Sequence, residues 1–241
     1  MARIFGFAVL AALTLGCGPA PIFPLATERV SPAPESPDAT LRYVALGDSY
    51  TIGTSVGIDE RWPNQLVAAL ARSGSASVTL DLVANLGVNG FTSRDAIDIE
   101  LPQLEALRPG FVTLLVGVND VVQGVSTDVF RSNAALILDN LLERVALERI
   151  LIVTTPDYTV TPSGGAFGDP EQQSAGIRTN NEILATLALA RGIVLVDIYD
   201  LSLGAASDRS LVASDGLHPS GAQYALWVER ILPAVEALLA R

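Results

Sequence analysis

The sequence predicts an α/β fold, a three-layer α/β/α sandwich in which helices cover both faces of a parallel five-stranded sheet. Three observations lead there. From residue 41 onward, short β-branched apolar runs alternate with longer amphipathic stretches, the pattern of βαβ units joined by right-handed crossovers. The chain of 241 residues is 49% apolar with a mean hydropathy of +0.40, ample for one buried core. No internal repeat is visible.

Residues 1–16 read as a signal peptide: Arg3 is followed by an apolar stretch over 4–15 that is too short to cross a bilayer as a helix. Its end, Leu13-Thr14-Leu15-Gly16-Cys17, resembles the bacterial lipobox, which makes Cys17 the expected lipidation site. The Pro/Ser-rich stretch through residue 40 then reads as a tether. The expectation is a protein outside the cytoplasm, lipid-anchored at the bacterial cell envelope and touching membrane only through that anchor. An ordinary signal peptide would instead leave it soluble in the periplasm or secreted.

The domain proper is expected over 41–241. Strands are expected at 43–46, 78–83, 112–116, 150–154 and 194–198, and helices at 61–72, 94–107, 128–148, 170–191 and 220–239. Ser220 followed by Gln223 is a capping box just after Pro219, so the last helix starts immediately after His218. Two stretches, 51–60 and 156–170, read as long linkers of the kind that shape binding sites. Trp62 is expected to pack in the core or at its rim.

Charge and composition exclude several functions. The net charge is −11, every cationic side chain is an arginine, and such a surface repels nucleic acid. With no lysine there is no P-loop lysine, Schiff base or lysine general base. His218 and Cys17 are the only residues of their types, so neither a multi-His/Cys zinc site nor an intrachain disulfide can form within one chain. No metal or cofactor is expected.

The turns beyond the strands carry the chemistry. After the first strand comes Gly47-Asp48-Ser49, after the second Gly90, after the third Gly117-Val118-Asn119-Asp120, and beyond the fifth Asp215-Gly216-Leu217-His218-Pro219. Any one of these reads equally well as a turn, a helix cap or a loop of breakers. Together they supply what acyl transfer from an ester needs. Ser49 is the candidate nucleophile, His218 the general base and then acid, and Asp215 the carboxylate that orients the imidazole. The N–H groups of Ser49 and Gly90 and the side-chain amide of Asn119 are candidate oxyanion donors. Asp48 is read as structural, accepting backbone N–H bonds that hold the serine turn.

These four blocks resemble the SGNH, or GDSL-type, hydrolase family, over about residues 43–233. The resemblance implies a flavodoxin-like sheet in the order 2-1-3-4-5 and assigns the same roles to the same residues. It implies a serine esterase acting on a small ester, an acylated carbohydrate or a lipid. An O-acyltransferase, a lysophospholipase and a non-catalytic envelope binding protein are the alternatives on this scaffold. No extended apolar lid segment is apparent, which favours short acyl groups. The second block departs from the family's pattern in having Asn89 before Gly90 and Phe91 after it.

Overall fold

The structure is a computed structural model and describes residues 39–74 and 78–240. The signal peptide, Cys17 and nearly all of the tether lie outside the described residues. Five strands, β1 (Ala39–Gly47), β2 (Val78–Asn85), β3 (Phe111–Leu115), β4 (Ile150–Val153) and β5 (Val194–Val196), form one sheet in the order β2-β1-β3-β4-β5. Every neighbouring pair is parallel, as expected.

The strand residues divide between two apolar layers because successive side chains point to opposite faces. Tyr43, Ala45, Phe111, Leu115, Leu151 and Val153 pack on one face with Trp62, Leu66, Trp227 and Ile231, from the helices Trp62–Ser73 and Gly221–Leu239. Val44, Leu46, Val112, Leu114, Ile150 and Ile152 pack on the other, with Leu104, Ile137, Leu141 and Ala188. Phe130, Ala134, Ile183 and Leu184 join the helices Thr127–Arg144 and Pro170–Arg191 on that side. Each fully buried Leu, Ile or Phe stabilises the fold by about 1.5–3 kcal/mol. Trp62 is a core residue, 0% exposed.

Local chemistry moves several boundaries. β5 stops at Val196 because Asp197 Oδ1 takes the Thr154 hydroxyl at 2.7 Å and the Tyr199 N–H at 2.9 Å, ending the ladder. The helix expected over 94–107 is helical but irregular: a π turn (Ala96–Glu100) runs into a 3₁₀ turn (Leu101–Gln103). Pro102 has no N–H to continue the α ladder, and a change of turn type is the result. Thr127–Arg144 ends four residues earlier than expected because Val145 turns extended and buries its side chain. The stretch 51–60 is not wholly irregular, since a short helix, Ser49–Ile52, runs into it and a 3₁₀ turn, Ile58–Glu60, closes it. Of the expected capping box, the Ser220 half forms, Oγ accepting from Gln223 N–H at 3.3 Å. Gln223 turns its side chain into the core instead of back to the cap.

This topology sets where a site can lie. From β1 the chain crosses to β2 on one side and then passes over β1 to β3 on the other. The order therefore reverses between β1 and β3, and a crevice opens beyond their C-terminal ends.

Candidate functional site

β1 delivers the serine. Its last residue, Gly47, has φ +149°, and a Cβ there would lie 2.3 Å from the Leu115 carbonyl oxygen, so only glycine lets β1 turn tightly beside β3. Asp48 Oδ1 accepts the Tyr50 N–H at 2.9 Å and caps the helix that begins at Ser49. Ser49 is thereby held at the head of a fixed turn, 6% exposed.

The fourth turn is built around Asp215. Its Oδ1 accepts the N–H groups of Leu217 at 2.9 Å and His218 at 3.0 Å, while Oδ2 lies 2.6 Å from His218 Nδ1 and accepts the Ser55 hydroxyl at 2.6 Å. Gly216, at φ +74°, lets the chain fold back so that a carboxylate three residues upstream reaches the ring. Burial opposes ionisation of Asp215, but the Ser55 hydroxyl, the His218 ring and the two backbone donors hold its carboxyl well below the usual carboxylate range. Short antiparallel pairing of Val212 with Pro219 braces the base of this turn.

Ser49, Gly90, Asn119 and His218 line one cleft of about 210 Å³. The four turns singled out in the sequence thus meet, with Asp215 behind His218. Gly90 has φ +82°, and nothing lies within 4 Å of where its Cβ would be, so its backbone is open to a bound molecule. Asn119 Nδ2 donates to the Phe91 carbonyl at 2.9 Å and makes a longer contact, 3.4 Å, with Asp48 Oδ2. The first bond orients the amide; the second is long enough to be exchanged for a better acceptor in the cleft.

Other features of the site were not anticipated. Tyr50 faces the imidazole with ring centroids 5.4 Å apart. Val118, Val122, Leu217, Tyr158 and Phe167 form an apolar wall, the last two stacked edge to face at 5.7 Å. Tyr158 and Phe167 come from the stretch 156–170, whose length was the signal for a site-shaping loop. Glu100 is 0% exposed beneath β1 and its Oε1 accepts the Gly47 N–H at 3.1 Å, one residue before the serine turn begins. Burial pushes its carboxyl up to about 9, with the Gly47 N–H pulling back and the charges of Asp48 and Asp95 adding. Burial likewise pushes Asp48 up to about 8 against the Tyr50 N–H. Asp120 is buried too, taking the Ser93 N–H and hydroxyl, so it serves the scaffold.

Comparison with known proteins bears on the family and the fold. Residues 45–226 match the sequence model of the GDSL-like lipase/acylhydrolase family. No curated protein matches the chain significantly. Among solved structures, a lipase/acylhydrolase from Enterococcus faecalis is similar with a TM-score of 0.63 at 21% identity, over 81% of this chain and 95% of that one. An acetyl xylan esterase from Geobacillus stearothermophilus gives 0.63 at 18% identity, over 81% and 94%. A structure described as TesA gives 0.62 at 20% identity, over 82% and 99%.

Proposed function

This chain belongs to the GDSL-like lipase/acylhydrolase family and is a carboxylic ester hydrolase; we propose that it works through an acyl-enzyme on Ser49, with His218 and Asp215 completing the triad. The single observation that carries this reading is the 2.6 Å contact of Asp215 Oδ2 with His218 Nδ1, on an imidazole that shares its cleft with Ser49. An ionised Asp215 at Nδ1 fixes the tautomer that leaves Nε2 free to accept a proton.

In the proposed reaction Ser49 Oγ attacks the ester carbonyl carbon while His218 Nε2 takes its proton. The carbonyl oxygen becomes an oxyanion received by the N–H groups of Ser49 and Gly90 and the Asn119 amide. Collapse of the tetrahedral intermediate breaks the bond to the alcohol, which leaves with the proton from His218. Water then attacks the acyl-enzyme, giving up a proton to His218, and the carboxylic acid departs as Ser49 recovers its hydrogen.

The cleft also speaks to the substrate. Ligand pockets commonly run to about 300–1,000 Å³, so a cleft of about 210 Å³ suits a short acyl group. Among the described residues no arginine lines it, so the lining offers no guanidinium to a phosphate leaving group. We place the enzyme outside the cytoplasm with Cys17 as its point of lipid attachment, on the strength of the N-terminal sequence pattern.

The test is hydrolysis of p-nitrophenyl esters from acetate to palmitate. The expected result is a rate at least about tenfold higher for acetate or butyrate than for palmitate, with all of it lost in Ser49→Ala. Activity that survives in folded Ser49→Ala removes the serine mechanism, and a maximum at palmitate removes the short-acyl reading.

A further inference from the structure

We infer that Ser55 is a positioning residue of the catalytic triad, holding Asp215 from the nucleophile's side of the cleft; the inference rests on the triad reading above. Two of the four donors to the Asp215 carboxylate, the N–H groups of Leu217 and His218, belong to its own turn. They shape that turn without placing it relative to Ser49. The Ser55 hydroxyl comes from 160 residues away in the sequence and takes Oδ2, the same oxygen that faces His218 Nδ1.

The loop that presents Ser55 is tied to the nucleophile itself. The Ser49 carbonyl accepts the N–H groups of both Gly53 and Thr54, each at 3.0 Å. Thr54 then reaches the other way, its hydroxyl donating to Asn89 Oδ1 at 2.5 Å, beside Gly90. Two adjacent hydroxyls therefore join the serine turn to the Gly90 turn and to the acid. This arrangement requires Ser55 to sit at φ +68°, a conformation that L side chains other than Asn and Asp seldom adopt. Non-glycine residues persist there where the surroundings impose it, and such residues cluster at functional sites. A loop without a task at this position would be served better by glycine, as it is at neighbouring Gly53, φ +71°.

The chemical consequence is on the imidazole. A donor on Oδ2 fixes the plane of the carboxylate, so the ring that faces the same oxygen is held in one orientation. The other titratable groups around the pair are Tyr50 and Tyr224, which burial holds protonated, together with Asp48 and Arg61.

Ser55→Gly removes the hydroxyl and suits the backbone angle, and Ser55→Ala is the second variant should glycine loosen the loop. Because the chain has one histidine, the NMR signals of its ring read His218 without ambiguity. The expected result is a displaced His218 ring signal, with kcat lowered about three- to tenfold and KM within about twofold. In an Asp215→Asn background the same substitution costs nothing more. An unchanged His218 ring signal and kcat in Ser55→Gly overturns the inference, as does an equal loss in the Asp215→Asn background. If wild type shows no Ser49-dependent hydrolysis, the triad reading fails separately, and the ring signal alone still decides whether Ser55 acts on the Asp215–His218 pair.

Discussion

Two sets of carboxyl groups flank Ser49, the proposed nucleophile, and behave in opposite ways. Asp215, its side chain 29% exposed, has four hydrogen-bond donors and stays ionised. Asp48 and Glu100 are both 0% exposed, each with one strong backbone donor, and burial raises them to about 8 and about 9. Shallower burial and more donors act together at Asp215, whereas at Asp48 and Glu100 deep burial outweighs the single backbone donor. In the proposed mechanism this leaves a negative charge at the imidazole and protonated acids beneath the serine turn. A charge on Asp48 would oppose the oxyanion forming a residue away.

The comparison is broken most directly by exchanging acids for amides. Asp215→Asn replaces a charged acceptor with an amide that favours the wrong imidazole tautomer, and kcat/KM is expected to fall on the order of 10²- to 10⁴-fold. Asp48→Asn keeps an oxygen for the Tyr50 N–H and removes a group already largely neutral at pH 7, so the loss is expected to stay within about tenfold. Similar losses in the two variants would mean that Asp48 acts as a charge.

A smaller effect appears in stability. Native Glu100 keeps its proton up to about 9, whereas in the unfolded chain it loses it near about 4.3. Its contribution is therefore complete in acid and declines as pH rises between those values, by about 1.4 kcal/mol per pH unit at most. Asp48 acts in the same direction up to about 8. Asp215 acts oppositely, stabilising above the ordinary Asp range and withdrawing as pH falls through its depressed value. Melting temperatures followed by circular dichroism are expected to decline from pH 5 to pH 9 in wild type and to decline less in Glu100→Gln. Equal slopes would show that Glu100 is already ionised.

The sheet and four turns were legible because backbone geometry restricts what can stand there. Buried strands need apolar runs, and the chain cannot pass at Gly47 or fold back at Gly216 with an ordinary side chain. The one histidine allowed one assignment. Glu100 was not legible: a glutamate in a helical stretch reads as a solvated face, and its partner Gly47 is 53 residues away. Ser55 and Thr54 were hidden for a similar reason, since a hydroxyl in a loop names no partner until the fold brings Asp215 or Asn89 beside it. The short helix Val118–Val122 was masked by its Gly-Val-Asn-Asp start, which reads as a turn.

The central claim is that Ser49 is a nucleophile made reactive by His218. It is tested most directly with a p-nitrophenyl phosphonate ester, whose phosphorus is attacked as an acyl carbon would be but whose adduct does not turn over. Intact mass and peptide mapping are expected to show one adduct per chain, on Ser49, with release of one nitrophenolate, and no adduct on the same timescale in His218→Asn. Ester hydrolysis that persists with Ser49 unmodified, or an adduct on another residue that tracks the loss of activity, would contradict it.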